Sequence, residues 1–554
     1  MIKASKPISN IEFSQILQKI KFTGVDKNPR RIGVAVSGGL DSIALCYLLR
    51  DWTITNGYKL KAFTVDHQLR DESGNEAKKV GELMRKLGID HEIMKINWSR
   101  PLSNSASVTT KESEKEIPKH DVHPPTTSQL ETNARIERYN LLAHACKQNS
   151  IQHLFIGHHL NDQLETLIMR FARGSGIEGL SAMNNEIKFP VVKSADAIGV
   201  KLVRPLLDCT KDRLRQTCIS YDIPWFEDST NTSLTYKRNA VRDALNKIGQ
   251  RFHEGDERLG PLSTEGLKQF LEHMQDHRKV LNEKVSQIVR SSARFSLRYG
   301  ICTIDIPPDA STSSSGWFNK HPISFRVLSY LVRWIRCAEY SPRLAQIRTL
   351  HAYILQQQTL PAEQRRNLTI GGVLVSPPNK NSGSLQYRWT ILRQPFNKTN
   401  AFEKVDMREI NIENKEREGI LLWDNRFFVG LRLNDRFLQE KEYIKNNKIG
   451  FYVHRFTKKD YDMIKKMPGK YSRALNEFVY HVPAIGRETF PLVIMKNQKT
   501  DQEKVFSVPT LGIHFYPQIG FCWAKFRNSV INLNTTDCDQ DIIGGGGYGY
   551  VDEE

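Results

Sequence analysis

The chain has 554 residues, 39% of them hydrophobic and 25% charged, which is too long for one core and suggests roughly two to four domains. No apolar stretch approaches the ~20 residues of a bilayer-spanning helix, which excludes an integral helical membrane protein. Eighty Lys and Arg stand against 61 Asp and Glu, a formal charge of +19 that attracts polyanions, nucleic acid first among them.

Met1 to Arg31 is Lys/Arg-rich, with only Glu12 and Asp26 opposing. That is the composition of a short transit peptide, yet Ile11, Ile16, Leu17 and Ile20 sit at near-helical spacing and also read as a native first helix. Next comes an apolar strand, Arg31 to Val36, then the run Ser37-Gly38-Gly39-Leu40-Asp41-Ser42, then an apolar helix over Ile43 to Leu49. Strand, Gly-rich turn and helix in that order make an anion cradle: the glycines let backbone N–H groups approach a phosphate, and the helix start adds unpaired donors and a positive dipole end. No Gly-Lys-Ser/Thr follows, so it is not a Walker A loop, and the Gly-x-Gly-x-x-Gly spacing is missing. The form resembles the PP-loop of ATP pyrophosphatases, which hold ATP by its β,γ-pyrophosphate.

The alternation continues with a strand from Lys59 to Val65 and a helix opened by Ser73 and Glu76 in a capping-box pattern, with Ala77, Val80, Leu83 and Leu87 inward. A strand over His91 to Ile96 follows. Residues from about Ser99 to Leu130 lose periodicity and turn Ser/Thr/Pro/Lys/Glu-rich, which predicts a disordered surface insertion; its His120 and His123 read as solvated linker residues. Order resumes with a helix over Glu131 to Gln148, a strand over His153 to Gly157, a helix over Asn161 to Ala172, a strand over Lys201 to Leu207, and helices over Thr210 to Tyr221 and Tyr236 to about Phe252. This predicts an α/β fold with a doubly wound parallel sheet. Beyond it, Thr264 to Ala293 and Phe325 to Gln357 read as helical. From about Leu368 the pattern turns to strands (Leu368 to Ile370, Tyr387 to Leu392, Ile420 to Leu433), and Gly544 to Tyr550 reads as a flexible tail. The expected domains are 1–250, a PP-loop nucleotide-binding unit; 251–367, mainly helical; and 368–554, α/β or β-rich. The eight cysteines include no Cys-x-x-Cys pair, which argues against zinc knuckles and redox motifs and for a reducing compartment.

Ligands of a doubly wound sheet bind at the carboxyl ends of its strands, and polar clusters fall there. Val65-Asp-His-Gln-Leu-Arg70 follows the second strand. Gly157-His-His-Leu-Asn-Asp-Gln-Leu-Glu-Thr166 follows the fourth, and Arg173-Gly-Ser-Gly-Ile-Glu-Gly-Leu180 comes next. The helix before the fourth strand carries Asn133-Ala-Arg-Ile-Glu-Arg-Tyr139, and Arg204-Pro-Leu-Leu207 and Glu227 to Arg242 lie further on. With these motifs in order from about Arg31 to Arg242, the chain closely resembles the tRNA(Ile)-lysidine synthetase family. One departure is Asn161, where many members carry Asp; Asp162 keeps the acidic position.

The resemblance implies an enzyme that uses ATP and Mg²⁺ to join L-lysine to carbon 2 of the wobble cytidine of a tRNA(Ile) with a CAU anticodon, through an adenylated cytidine, releasing AMP and pyrophosphate. Ser37, Gly38, Gly39, Leu40 and Ser42 would hold the phosphates. Asp41 would orient the loop or a Mg²⁺, with N-capping as its alternative role, and Asp162 is the first choice of a second carboxylate near the metal. Asp162 and Glu165 share a helix face, while Leu164, Leu167, Ile168 and Phe171 lie mostly opposite and are expected to pack on the sheet. The two carboxylates would therefore face the cleft or solvent, hold the lysine ammonium and accept its proton. Arg135, Arg138 and Arg173 would contact the triphosphate or the adenylated base. Asp66 and His67 would line the adenosine. His158 and His159, like His67, read as hydrogen-bonded structural histidines before metal ligands. Arg204, Tyr236, Arg238, Asn239 and Arg242 are the expected tRNA contacts, and the basic region Arg326 to Arg366, with Trp334, His351 and Tyr353, is a candidate clamp on the acceptor stem. The polar insertion and basic N-terminus point to a mitochondrion, with a bacterial-type cytoplasm as the alternative. A tRNA thiolation enzyme would need a cysteine beside a motif, an ammonia-using synthetase leaves the basic charge unexplained, and a non-catalytic RNA-binding protein leaves the intact loop unexplained.

Overall fold

The structure is a computed structural model, which describes residues 5–20, 22, 30–68, 73–98, 127–189, 197, 199–227, 237–306, 316–338, 341–378, 387–396, 405–407, 418–434, 437, 449–467, 469 and 471–527. The expected insertion up to residue 126, Tyr236 and the Gly-rich tail lie outside the described residues. The described residues form two compact units, one ending at Leu281 and the other starting at Asn282.

The first unit is built on a six-stranded sheet. Its elements are α1 (Asn10–Lys19), β1 (Arg31–Ala35), α2 (Leu40–Asn56), β2 (Lys59–Asp66), α3 (Ser73–Lys86), β3 (Asp90–Lys95), α4 (Thr127–Gln148), β4 (His153–Phe155), α5 (Leu160–Phe171), α6 (Ile177–Leu180), β5 (Glu186–Lys188), β6 (Lys201–Val203), α7 (Lys211–Ser220) and α8 (Lys237–His253), then a 3₁₀ turn (Glu257–Leu262) and the start of α9 (Thr264–Ser292). Strand order is β3-β2-β1-β4-β6-β5. All neighbours pair parallel except β5, a short antiparallel edge strand. The order reverses between β1 and β4, the crevice where such sheets bind ligands. Buried Ile32 and Val34 of β1 and Ile43, Ala44, Leu45, Leu48 and Leu49 of α2 make one core; Phe63, Leu154, Leu142 and Ala143 belong to the core on the other face.

The N-terminal segment is part of this unit. Ser9 caps α1 by accepting from the Glu12 N–H, Phe13 and Leu17 are buried, and Ile11 is exposed. The Ile8 N–H donates to Thr217 Oγ1 at 2.9 Å, and Arg213 pairs with both oxygens of Glu12 at 2.6–2.7 Å.

The second unit holds three antiparallel sheets. β7 (Ala293–Ser296), β8 (Ile301–Asp305), β11 (Arg388–Arg393), β10 (Val373–Ser376) and β9 (Leu368–Ile370) form one, in that order, with α10 (His321–Arg336) and α11 (Leu344–Gln358) packed on it. This sheet therefore draws strands from both sides of residue 367. The expected helix over Phe325 to Gln357 is two helices, because Cys337 adopts a left-handed conformation (φ 49°) that ends α10. β13 (Glu418–Trp423) and β14 (Phe427–Leu433) form a hairpin joined to β19 (Gly520–Phe526). Of the three residues that connect β13 to β14, Asp424 and Asn425 both have positive φ, as the central positions of a primed turn require. The third sheet is β12 (Val405–Asp406), β15 (Ile449–Arg455), β16 (Pro491–Asn497), β17 (Glu503–Val508) and β18 (Ile513–His514). α12 (Lys458–Lys465) and α13 (Ser472–His481) complete the unit.

The aromatic residues of the expected acceptor-stem clamp are core or paired. Trp334 is buried against Phe295 and Phe526, with ring centroids 4.5 and 4.7 Å away. His351 is buried, stacked on Phe318 at 4.6 Å and bonded to the Phe318 carbonyl, and Tyr353 donates its hydroxyl to the Arg366 carbonyl. Trp334 and His351 are thus unavailable for stacking on RNA. The seven described cysteines are all free and buried, four in the first unit and three in the second.

Candidate active site

The glycine loop leaves β1 at the switch point and is closed on itself. The Ser37 N–H donates to Ser42 Oγ at 3.2 Å, and Ser42 Oγ donates to the Gly39 carbonyl at 2.9 Å. Gly38 has φ +89°, and a Cβ there would lie 2.7 Å from Val80 Cγ2 and 3.2 Å from Phe226 Cδ2. The Phe226 N–H in turn donates to the Gly38 carbonyl at 2.9 Å, so the segment after α7 pins the loop. Gly39 is the N-cap of α2 and supplies no side-chain acceptor, which leaves first-turn N–H groups for an anion. Leu40 is buried and anchors that turn. The loop also packs tightly on the end of β4: a Cβ on Gly157 would meet the Asp41 carbonyl at 2.9 Å.

Asp41 is in the first turn of α2 and is not its N-cap. Its Oδ2 lies 3.5 Å from His159 Nε2, and the same nitrogen lies 3.6 Å from Asp162 Oδ2. One imidazole at the N-cap of α5 thus stands between the loop helix and the second carboxylate. Burial pulls the His159 pKa down, but the hydrogen bond with Asp41 and the charges of Asp162 and Asp41 outweigh it, so the ring holds its proton above the usual histidine range. Next to it, His158 accepts from Arg204 Nε at 3.1 Å; burial first, and then the arginines around it, push its pKa to about 3, so it is a neutral acceptor. Asp162 accepts the His159 N–H at 3.0 Å, the acidic half of a capping box. Burial raises its pKa, but His159, Arg238 and that N–H hold the carboxyl below the usual range. Asn161 accepts from the Lys211 N–H at 3.1 Å, so its amide ties α5 to the start of α7.

The expected open carboxylate face is instead a buried ion network. Asp162 is 8% exposed and Glu165 1%. Arg238 Nη2 donates to Asp162 Oδ1 at 2.7 Å and its Nε to Glu165 Oε2 at 2.6 Å. Arg242 donates Nε to Glu165 Oε1 at 2.6 Å and Nη2 to Oε2 at 3.3 Å. The i, i+4 arginines of α8 therefore face the i, i+3 carboxylates of α5, and both guanidiniums are committed there before any phosphate arrives. The opposite face of α5 packs on α9 and not on the sheet: Leu160, Leu164 and Leu167 cluster with Ala182, Leu267 and Leu271, and Phe171 is exposed.

Arg204, also expected at the tRNA, is 5% exposed and donates Nη1 to the Asn184 carbonyl besides its bond to His158. Asn239 is half-buried on α8. Asp66 ends β2 buried and accepts the Gln68 N–H at 3.0 Å, and the His67 carbonyl accepts Trp98 Nε1 at 2.7 Å. Arg135 and Arg138 flank Tyr139 on α4, with guanidinium carbons 5.2 and 5.5 Å from its ring. Arg135 is exposed and Arg138 half-buried. Arg173 is exposed on the turn after α5. Loop, Asp41 and Asp162 thus come together around His159. The bridging role of His159 and the strap at Phe226 were not anticipated. A histidine directly before a helix whose third residue is acidic was the available signal for the first.

Residues 6–248 match the PP-loop domain family. The chain is 28% identical over 507 residues to the probable tRNA(Ile)-lysidine synthase of Schizosaccharomyces pombe, covering 90% of this chain and 95% of that one. It is 26% identical to the tRNA(Ile)-lysidine synthase of Orientia tsutsugamushi, covering 82% and 85%. Against that of Bradyrhizobium diazoefficiens it is 30% identical over 356 residues, covering 64% of this chain and 84% of the relative. A glycine loop at the switch point, two carboxylates joined to it through one histidine, and likeness over most of each relative's length lead to one conclusion: the chain belongs to the tRNA(Ile)-lysidine synthase family of PP-loop enzymes.

Proposed function

We propose that this enzyme joins L-lysine to carbon 2 of the wobble cytidine of a tRNA(Ile) with a CAU anticodon, at the expense of ATP. Cytosine O2 attacks the α-phosphorus; the new O–P bond replaces the bond to pyrophosphate, which the Ser37–Ser42 loop holds. The lysine amine then attacks carbon 2, and O2 leaves as part of AMP. Free lysine carries its side-chain proton up to a pKa of ~10.4, so the amine needs a carboxylate beside it. Asp162, shared with Arg238, would hold the ammonium and take its proton through water; Glu165, with both oxygens on arginines, holds the arginines in place. The residues fit a Mg²⁺: Asp41 Oδ1 is buried without a hydrogen-bond partner among the described residues, and Asp41 with Asp162 gives the all-oxygen donors that ion prefers. When bound, Mg²⁺ offsets charge on the phosphate oxygens.

The observation that carries this reading is the approach of Asp41 and Asp162 to one His159 nitrogen, which brings the phosphate loop and the amine's acceptor into one site. Sulfur delivery is disfavoured, because the described cysteines are buried and burial raises thiols such as Cys46 to about 12. Incubation with labelled lysine, ATP and the CAU tRNA, followed by nucleoside analysis, tests the proposal. Label in one cytidine-derived nucleoside with AMP and pyrophosphate supports it; unlabelled tRNA, or ADP with orthophosphate, overturns it.

A further inference from the structure

The loop that would hold the pyrophosphate contains no cationic side chain: Ser37-Gly38-Gly39-Leu40-Asp41-Ser42 offers neutral N–H and hydroxyl donors and one carboxylate. A pyrophosphate leaving the α-phosphorus gathers negative charge on its oxygens, and phosphoryl-transfer sites set a lysine or arginine there besides the metal. Most arginines around the site are already engaged. Arg238 and Arg242 are held by Asp162 and Glu165, Arg204 by His158 and the Asn184 carbonyl, and Arg135 and Arg138 lie against Tyr139 on α4.

Lys211 opens α7 beside that loop. Two bonds fix its backbone to the start of α5: the Leu160 N–H donates to the Cys209 carbonyl at 2.8 Å, and the Lys211 N–H to Asn161 Oδ1 at 3.1 Å. α7 then packs on α2, the helix that the loop opens, with Leu214 and Cys218 buried in the same core and Tyr221 against Tyr47, ring centroids 4.8 Å apart. The chain returns to the loop at Phe226, whose N–H donates to the Gly38 carbonyl at 2.9 Å. The Lys211 side chain is half-buried and makes no ion pair or hydrogen bond among the described residues. Of the acidic groups next to it in the chain, Asp208 pairs with Lys19 at 3.1 Å and Asp212 is exposed. Asn161 anchors the helix with a neutral amide, so the anchor does not cancel the ammonium's charge as a carboxylate would. Burial and that charge both oppose the His159 proton that Asp41 and Asp162 favour, and His159 Nε2 is 3.5 Å from Asp41 in the first turn of α2. A half-buried ammonium without a counter-ion thus stands beside an anion cradle.

We propose that Lys211 is a further catalytic residue, whose ammonium donates to β- or γ-phosphate oxygens of ATP and stays on them as pyrophosphate departs. The bond from the α-phosphorus to the bridging oxygen breaks and its electron pair stays on pyrophosphate. The ammonium keeps its protons throughout and offsets the charge that gathers there. The proposal rests on ATP being split to AMP and pyrophosphate, and not on lysine as the group transferred. It is tested by binding of inorganic pyrophosphate, ATP and AMP, with Mg²⁺ present, to the full-length wild type, Lys211→Met and Lys211→Arg, and by single-turnover AMP formation at saturating ATP with the CAU tRNA.

A charge-assisted contact predicts a roughly 10- to 150-fold rise in Kd for pyrophosphate and ATP in Lys211→Met. AMP should bind within twofold of wild type, AMP formation should slow, and Lys211→Arg should recover most of both losses. Pyrophosphate affinity within twofold of wild type in Lys211→Met, or an unchanged rate of AMP formation, overturns the proposal. So does an equal loss of AMP and pyrophosphate binding with a lowered thermal midpoint, the signature of a packing role. Weaker tRNA binding with a shallower salt slope and intact pyrophosphate affinity would put the ammonium on RNA and overturn it too. If Lys211→Met fails to fold, Lys211→Gln removes the same charge and should show the same losses. The expected losses in an enzyme that incorporates no lysine would sink the proposed transfer and leave Lys211 in its role.

Discussion

Replacing Arg238 by alanine separates a guanidinium that grips RNA from one that neutralises carboxylates. Its two bonds, 2.7 Å to Asp162 and 2.6 Å to Glu165, are made to groups that are 8% and 1% exposed. Breaking a buried pair so as to strand a charge costs about 3–5 kcal/mol. Here Arg242 still covers both oxygens of Glu165 and lies 4.0 Å from Asp162, so the loss should be nearer about 2–3 kcal/mol. At ~2–4 °C per kcal/mol for a unit of this size, the first unit should melt about 4–12 °C lower. The tRNA measurement distinguishes the two roles. A lost phosphate contact makes the log–log salt dependence of binding shallower by ~0.7–0.9, which the sequence alone predicts for this arginine; with its charge already neutralised, the slope should not change. Thermal unfolding and tRNA titrations between 50 and 200 mM salt (the ~10³–10⁵ affinity window of phosphate-rich interfaces) give both readings. A shallower slope with unaltered melting would refute the argument.

Gly38→Ala should lose at least ~1–2 kcal/mol of ATP affinity, from the left-handed backbone and a Cβ 2.7 Å from Val80 Cγ2; titration of ATP showing wild-type affinity would contradict the role of the loop. His153 has its pKa lowered to about 4, mainly by burial, and its Nδ1 has no partner among the described residues. The unfolded chain binds this proton near pH 6.5 and the folded one only near 4, so stability should hold above pH 6.5 and fall by at most about 3 kcal/mol between pH 6.5 and 4. His153→Leu should flatten that part of a denaturant-midpoint profile, and parallel profiles would exclude the histidine as its source. Trp334→Ala should destabilise the second unit by about 3–5 kcal/mol; a variant with wild-type stability but weakened tRNA binding would restore the clamp.

The glycine loop and the strand–helix alternation around it were legible because both are written in contiguous residues: an apolar strand, a turn that needs positive φ, and a helix with an apolar face. The ion network was not, because Glu165 and Arg238 are distant in the chain and only packing of α8 on α5 decides which face each presents. Spacing alone could show that the arginines share a side, but not what that side meets. In the second unit, Val327, Leu328, Leu331 and Ile335 are buried on the face of α10 that carries Trp334, so the helical period placed that ring in the core despite the basic residues around it. The strand pattern over Ile420 to Leu433 hides a hairpin, although Asp424-Asn425 at its centre is a turn signal. β5, β7 and β8 are too short for alternation to distinguish them from loop.

The burial of the seven described cysteines gives the protein its own probes of opening. Cys46, Cys146 and Cys218, with pKa values raised to about 12, and Cys209, raised to about 11, lie in the unit that carries the loop; Cys302, Cys337 and Cys522 lie in the other. A thiol that is both shielded and protonated resists alkylation, so the rate at which each is labelled tracks how often its surroundings come apart. Peptide mapping after a brief pulse of an alkylating reagent would report the stability of the two halves separately within a single chain, without any engineered label.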